Sequence, residues 1–274
     1  MFVSMNGTVG KAPWPEFAHL AQRTGFGGVD VNVGRAMEEG LDSTRALLKE
    51  LKLRSSALGL PVVLGKDDAA FRESLKKLEP VAHFARGIGS PRMVTWISSS
   101  SDTPKVELRK ILKERLQVCA GVLARAGVRL GLEFLGPLHI RKRGAHEFIW
   151  RMDEMLEFAR ECGPNMGLLL DAWHWHHAGA TPKDILAAGK RGIVHVHVAD
   201  APDLPPEKIL DSERLLPGEG VIDWTGFFGA LNKIGYEDAV SPEVMGRLKG
   251  KPPEEAAKLM LEATLGVMRK AGVA

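Results

Sequence analysis

Four side chains that can bind a divalent metal ion stand at matching places along the chain. Glu133, Asp171, His197 and Glu243 each lie at or near the end of a short apolar run. A carboxylate in such a position costs free energy unless its charge is compensated. Three carboxylates brought together would repel one another and raise their own pKa values unless a cation lay between them. The pattern therefore predicts a metal centre made of these four side chains.

The residue types indicate which metal ions suit the site, and the order of residues along the strand indicates which histidine is the ligand. Three carboxylates and one neutral imidazole form a mostly oxygen site, which suits Mn²⁺, Mg²⁺ or Co²⁺ and leaves Zn²⁺ open. Neither cysteine is placed to take part. His195 and His197 point to the same side of one strand, because side chains alternate along it. We assign His197, nearer the end of the strand, as the ligand and His195 as a residue of the inner layer.

Each of these residues also has an ordinary structural explanation. Glu133 and Asp171 are the kinds of residue that form ion pairs or cap helices, and Glu243 could cap the last turn. His197 could be a core histidine with satisfied hydrogen bonds. The metal interpretation is favoured because all four positions are equivalent in successive units of the chain.

These positions need a scaffold that gathers the ends of strands, and the rest of the sequence predicts one. Strand-like runs alternate with amphipathic, helix-like stretches. We predict strands at Phe2–Met5, Gly28–Val33, Arg54–Leu58, Arg92–Trp96, Arg129–Phe134, Met166–Asp171, Ile193–Ala199 and Ala239–Glu243. We predict helices at Trp14–Thr24, Ser43–Lys52, Asp67–Arg86, Pro104–Ala126, Ala145–Cys162, Thr181–Ala188, Trp224–Ile234 and Pro253–Ala271.

Eight strands in alternation with eight helices predict an α/β protein with a single (β/α)8 TIM barrel, one domain over residues 1–274. Function in such a barrel lies where the strands end on their C-terminal side, so the four candidate ligands would meet at one mouth. The longest irregular segment, Asp200–Ile222, follows the seventh strand. We expect it to close over the mouth and exclude water.

Composition excludes several classes of protein. A net charge of +3 gives no reason to expect nucleic acid as a partner, and no apolar run is long enough to span a membrane. The N-terminal residues lack the features of a signal peptide. Cys119 and Cys162 both lie in helix-like stretches, so we expect no disulfide and a cytoplasmic location.

Further candidates for substrate binding follow two of the predicted strands. Trp173 comes after Asp171 and could stack on a sugar ring, although packing in the barrel wall explains it equally well. His139 and Arg141 lie in the sequence HIRKR after the fifth strand. They could hold a phosphate or a carboxylate at the rim, since arginine binds such groups bidentately. The alternative is a solvated basic loop.

The motifs GLEFLGP, LLLDAWHWHHAG, IVHVHVADAPD, LPGEGVIDW and SPEVM resemble, in this order, the xylose isomerase-like superfamily of sugar isomerases and epimerases. Its members include keto-sugar 3-epimerases, hydroxypyruvate isomerases and inosose dehydratases. The resemblance covers the whole chain and implies a (β/α)8 barrel. It also implies one divalent ion, Mn²⁺ by preference, held by Glu133, Asp171, His197 and Glu243.

The resemblance further implies that Glu133 and Glu243 are catalytic and move protons on opposite faces of the substrate, and that His174 contacts substrate oxygens. Two positions depart from the keto-sugar epimerases. Their second glutamate, six residues after the first metal glutamate, is His139 here, and their arginine six residues after the metal histidine is Asp203. The resemblance therefore implies a shared metal platform with different substrate contacts.

Together these features predict a metal-dependent isomerase or epimerase of a sugar or sugar phosphate. The ion would chelate a carbonyl and the adjacent hydroxyl, and the glutamates would transfer protons through an enediolate. The small-molecule partner would be a sugar or polyol, and a homo-oligomer stays open. The alternatives are an inosose-type dehydratase, a phosphodiesterase like endonuclease IV, and a non-catalytic sugar-binding barrel. Endonuclease IV needs three zinc ions and additional histidines on earlier strands. The third and fourth predicted strands of this chain contain no histidine.

Overall fold

The sheet of the protein is a closed barrel in the computed structural model, which describes residues 1–274. Its parallel strands follow one another around the barrel, and the last pairs with the first. The strands are β1 Phe2–Met5, β2 Gly28–Val31, β3 Arg54–Gly59, β4 Arg92–Trp96, β5 Arg129–Glu133, β6 Met166–Asp171, β7 Ile193–Val198 and β8 Ala239–Pro242. The predicted α/β class and (β/α)8 TIM barrel are confirmed.

Helices connect the strands and cover the outside of the barrel. They are α1 Trp14–Thr24, α2 Val33–Glu39, α3 Leu41–Glu50, α4 Asp68–Leu75, α5 Leu78–Gly87, α6 Lys105–Arg125, α7 Leu138–Arg141, α8 Met152–Cys162, α9 Ala172–His177, α10 Pro182–Gly192, α11 Trp224–Lys233 and α12 Pro253–Lys270. None of them combines the length and apolar character that a membrane span requires.

Two of the predicted helices differ in extent, and three short helices, α2, α7 and α9, were not predicted. The helix predicted over Asp67–Arg86 is divided into α4 and α5, because Pro80 would interrupt a continuous helix but is tolerated in the first turn of a new one. The helix predicted over Ala145–Cys162 begins only at Met152. Before it, His146–Glu147 form a short antiparallel pair with the loop after β4.

The register between neighbouring strands determines how far along the barrel axis each candidate ligand lies. Asp171 at the end of β6 lies directly beside His197 on β7. His197 in turn pairs with Ser241, two residues before Glu243. On the other side, Glu133 at the end of β5 pairs with Trp96 at the end of β4. Because β6 and β7 are buried along their whole length, these positions have little freedom to move.

Candidate metal centre

The four predicted ligands converge at the mouth of the barrel and are called here the mouth cluster. One ligand atom from each of Glu133, Asp171, His197 and Glu243 lies within 4.8 Å of all the others. His197 Nδ1 is 3.7 Å from Glu133 Oε1 and 3.5 Å from Glu243 Oε2. These four side chains are close enough together that one cation could contact all of them.

Each ligand is held by the backbone at the end of its strand. Glu133 and Asp171 are the last residues of β5 and β6. Asp171 also caps α9, because its carboxylate accepts a hydrogen bond from the backbone N–H of Trp173 at 2.8 Å. Glu243 lies one residue beyond β8, and its N–H donates to the carbonyl of Val198 at 3.0 Å. The carboxylates are therefore placed by the ends of the strands rather than by flexible loops.

The mouth cluster fits a divalent cation by the chemistry of its donors. Glu133 Oε1 and His197 Nδ1 are buried and have no hydrogen-bond partner. Buried polar atoms are normally paired, and an orphaned one commonly marks a missing ion or water. Both orphans are among the atoms that meet at the centre, and the remaining donors are carboxylate oxygens. An ion bound there would satisfy both of them.

Burial and mutual charge shift the ionisation of these side chains in opposite directions. Burial, reinforced by Glu243 and Asp171, raises the pKa of Glu133 well above its usual value. Burial also disfavours the charged form of His197, but the three carboxylates outweigh it and raise its pKa to about 10. Burial is likewise outweighed at Glu243, where His197 and Arg214 lower the pKa to about 2. Without an ion, these shifts favour the protonated forms of Glu133 and His197.

Arg214 also reaches the centre, and the sequence analysis missed it. It is only 1% exposed, and its Nη1 donates to Asp171 Oδ2 at 2.7 Å and to Glu243 Oε2 at 3.0 Å. Its Nη2 donates to Asp211 Oδ1 at 2.9 Å and to His174 Nε2 at 3.2 Å. The resemblance had assigned the epimerases' arginine position to Asp203, but that residue is exposed. Arg214 comes just before the motif LPGEG, and this is the signal that could have identified it.

The segment Asp200–Ile222 is tied to the barrel at both ends. The carboxylate of Asp200 accepts hydrogen bonds from the N–H groups of Gly218 and Ile222 and from the indole of Trp224. Arg214 N–H donates to Met245 O in the loop after β8. These bonds fix the path of the segment and carry Arg214 inward.

Glycine permits the close approach of that loop. Gly246 has a φ of +93°, and a Cβ there would collide with the carbonyl oxygen of Ser212. Only glycine adopts this conformation readily. The segment can therefore pack directly on the backbone that follows Glu243.

The other predicted site residues occupy different surroundings. His174 is buried, accepts from Arg214 through Nε2, and leaves its Nδ1 without a partner. Trp173 has no exposed surface, and its ring lies 5.6 Å from the Arg214 guanidinium. His139 is half-buried and accepts from the N–H of Asp211 at 3.5 Å. Arg141 lies away from the cluster, with its guanidinium 3.9 Å above the ring of Trp150.

Trp96 is a further residue of the mouth that the sequence analysis did not single out. It pairs with Glu133 in register, so the two side chains lie on the same face of the sheet. The indole is 63% exposed. An exposed aromatic ring beside a buried carboxylate offers an apolar surface to a bound ligand.

A second group of polar side chains lies beside His197 and is called here the inner cluster. Its carboxylate, Asp30, accepts hydrogen bonds from the side chains of Ser56, Ser241 and Asn6. His195 Nε2 is 3.1 Å from Ser241 Oγ and 3.7 Å from Asp30 Oδ1. Asp30, His195 and His197 are close enough to hold an ion, but hydroxyl and amide groups already occupy the carboxylate.

A closed (β/α)8 barrel with carboxylates and histidine at its mouth defines a class of TIM-barrel proteins, and the family comparison agrees. The chain belongs to the family described as xylose isomerase-like TIM barrel, which it matches over residues 18–266. It is 29% identical to an inosose isomerase of Bacillus velezensis over 214 aligned residues. The aligned region covers 75% of this chain and 72% of that protein.

Solved structures show the same fold. A xylose isomerase domain protein from Alicyclobacillus acidocaldarius has a TM-score of 0.91 and 28% identity, with 99% of both chains covered. An IOLI protein described with a bound zinc atom has a TM-score of 0.84 and 21% identity, again over 99% of both chains. The resemblance inferred from the sequence motifs is confirmed.

Proposed function

We propose that this protein is a divalent-metal-dependent isomerase or epimerase that acts on a sugar or cyclic polyol ketone by proton transfer. One observation carries the proposal: three buried carboxylates and an imidazole meet at the barrel mouth, and two of their ligand atoms have no other partner. The inosose isomerase and the zinc-containing IOLI structure among its relatives support this class of substrate and a bound divalent ion.

The ion would be held by Glu133, Asp171, His197 and Glu243. When bound, it would supply Lewis acidity that polarises a carbonyl and lowers the energy of the enediolate. The donor set suits Mn²⁺, Mg²⁺, Co²⁺ or Zn²⁺, and Mn²⁺ is our preferred assignment. A panel of these ions tested on metal-free protein would rank them.

Glu133 and Glu243 would carry the proton. They enter the centre from β5 and β8, with β6 and β7 between them, so they approach a bound substrate from two sides. One glutamate would remove the proton next to the carbonyl and the other would return a proton. Return to the neighbouring carbon gives an isomer, and return to the opposite face gives an epimer.

Arg214 and His174 would orient the reacting groups. All five N–H donors of Arg214 are engaged, by Asp171, Glu243, Asp211 and His174, so its first task is to hold these side chains in place. Because His174 Nε2 accepts from Arg214, the ring proton lies on Nδ1, which has no partner. That N–H is free to donate to a substrate oxygen. The exposed ring of Trp96 would pack against the carbon skeleton of the substrate.

Deuterium exchange tests the proposal directly. Metal-loaded protein is incubated in D₂O with a panel of ketoses and inososes, and incorporation next to the carbonyl is measured by NMR. We expect exchange with at least one member of the panel and none with metal-free protein. Binding of polyols without any exchange across the panel would favour the non-catalytic sugar-binding barrel. A product that lacks one hydroxyl group of the substrate, lost as water, would instead identify a dehydratase.

Metal stoichiometry separates the proposal from a phosphodiesterase like endonuclease IV. In the inner cluster, both carboxylate oxygens of Asp30 already accept hydrogen bonds from serine or asparagine side chains, so we do not expect them to bind a second ion. We therefore expect one divalent ion per chain by elemental analysis. Three zinc ions per chain would overturn the assignment.

The segment Asp200–Ile222 would serve as the lid that excludes water. It brings Arg214 to the centre, and Asp200 anchors its base. We expect limited proteolysis within it to slow when metal and substrate are bound. Equal rates of cleavage with and without both would leave the lid role unsupported.

A further inference from the structure

A pocket of about 230 Å³ lies outside the mouth cluster, between α7, α9 and the segment Asp200–Ile222. Arg141 of α7 and the two histidines His176 and His177 of α9 line it, together with Pro206 and Ile209 of the segment. No acidic residue is among the lining residues. The pocket therefore presents cationic and N–H groups without a carboxylate to neutralise them.

The polar groups of this pocket lack partners within the protein. Arg141 Nε and His177 Nε2 are both buried without a hydrogen-bond partner. The guanidinium of Arg141 lies over Trp150, with 3.9 Å between its central carbon and the ring centroid. The neighbouring Arg151, by contrast, is paired with Asp153 at 3.1 Å. Arg141 is thus a positioned arginine that no protein group neutralises.

Burial favours the neutral form of His177. Burial first, and then His176, Arg214 and His139, lower the pKa of His177 to about 3. A neutral imidazole results, which can donate a hydrogen bond without adding charge. The balance of charge around the pocket favours an anion, and the small volume favours a compact group.

We propose that this pocket binds an oxyanion, a phosphate monoester or a carboxylate, through the Arg141 guanidinium and the His177 imidazole. A guanidinium fork matches both groups, because each presents two or more oxygens in one plane to its parallel N–H donors. The anion would also touch Pro206 and Ile209, which belong to the segment that carries Arg214. Its source is either the charged end of the substrate or a free anion. The site itself does not depend on the proposed reaction.

Inorganic phosphate is the first probe, titrated calorimetrically into protein freed of metal by a chelator, so that phosphate has no ion to bind. We expect saturable binding, at one site per chain. Arg141→Met is expected to weaken it by about tenfold or more, because a charge-assisted hydrogen bond is lost. Arg143→Met is the matched control, since Arg143 is an exposed cation two positions away that does not line the pocket. This control is expected to change the affinity by less than about twofold.

Two further variants test the pocket in case Arg141→Met does not fold. His177→Asn removes the imidazole from the other wall of the pocket, and Arg141→Lys retains the charge without the fork. We expect both to bind phosphate more weakly than the native protein, with unchanged thermal unfolding. No saturable binding to the native protein would overturn the proposal, and so would equal losses in Arg141→Met and Arg143→Met.

A second arm identifies the source of the anion. Once a sugar substrate is known, KM is compared for the sugar and for its phosphate monoester. If Arg141→Met raises KM only for the monoester, the pocket holds the charged end of the substrate. If it leaves both values unchanged while abolishing phosphate binding, the pocket holds a free anion. Both results support the site, and neither is needed for the deuterium exchange test of the proposed function.

Discussion

The mouth cluster and the inner cluster share His197, yet their polar atoms are satisfied in different ways. In the inner cluster, Asp30 accepts from four side chains, and His195 contacts Ser241. In the mouth cluster, Glu133 Oε1 and His197 Nδ1 have no partner although both are buried. Neutral donors thus complete the inner cluster, whereas two ligand atoms of the mouth cluster stay without a partner even though Arg214 pairs with Asp171 and Glu243.

This difference is the one expected between a structural network and the proposed metal centre. A carboxylate with hydroxyl and amide donors is stabilised by the fold itself, because each donor loses its hydrogen bond if the carboxylate is removed. Buried carboxylates that face one another are destabilising where their charge is not compensated, and such unfavourable contacts are typical of functional sites. Substitutions in the two clusters should therefore have opposite effects on activity and on stability.

Proton transfer should show the largest contrast. Glu243→Gln keeps an oxygen that can bind metal but cannot carry a proton, so we expect deuterium exchange to fall by roughly 10³-fold. The matched variant in the inner cluster, Asp30→Asn, should leave the exchange rate within about threefold of the native value. The rates are measured by NMR in D₂O with saturating metal. Similar losses in both variants would remove the functional distinction between the clusters.

Metal affinity should give the next largest contrast. Asp171→Asn removes a ligand charge at a position with no exposure to solvent, and we expect the affinity for Co²⁺ to fall by roughly 100-fold. Asp30→Asn should change it by less than about threefold, because its carboxylate is engaged by other donors. Titration followed by the visible absorption of Co²⁺ measures both values. A large loss in Asp30→Asn would mean that the inner cluster also binds an ion.

Metal binding should depend on pH through the mouth cluster. The three carboxylates raise the pKa of His197 to about 10 despite its burial, so a proton must leave the imidazole when the ion binds. The apparent affinity should therefore increase with pH, by about tenfold per unit for each displaced proton, until the pKa is reached. Calorimetry in buffers of different ionisation enthalpy counts the released protons. His197→Gln should release one proton fewer, and an unchanged count in that variant would contradict the assignment.

Stability without metal should show the smallest contrast, with opposite signs in the two clusters. Asp30→Ala leaves several buried donors without their acceptor and should lower the free energy of unfolding by about 1–3 kcal/mol. Glu133→Gln relieves a buried carboxyl that faces two others and should raise it by about 1 kcal/mol. Urea unfolding in the presence of a chelator measures both changes. Destabilisation by Glu133→Gln would show that its carboxyl contributes to the fold.

Much of the fold and of the mouth cluster could be predicted from the sequence because both depend on short periodic patterns. The apolar runs of β5 to β8 indicate buried parallel strands, and a residue at the end of such a run must lie near the mouth. Alternation along β7 placed His195 and His197 on one side, and the structure puts His197 among the carboxylates. Helix boundaries were less accurate, since the division at Pro80 depends on where a turn of helix begins.

Arg214 and Asp30 could not be placed in the same way. Arg214 lies in an irregular segment, and its position depends on contacts with Asp200, Asp211 and the backbone of Met245. The position six residues after His197, where the resemblance implies an arginine, is held by Asp203, which is exposed. Asp30 sits on β2, far along the chain from Ser241, and only barrel closure joins them.

The sequence by itself determined the elements, their parallel arrangement and which strand ends carry carboxylates or imidazole. These follow from local periodicity and from the geometry that every (β/α)8 barrel shares. The tertiary structure alone decided which of these groups are left without partners, which cation approaches them from the segment Asp200–Ile222, and which arginine lines the pocket between α7 and α9. Those properties depend on the distances between side chains that are remote in the chain, and no local pattern encodes such distances.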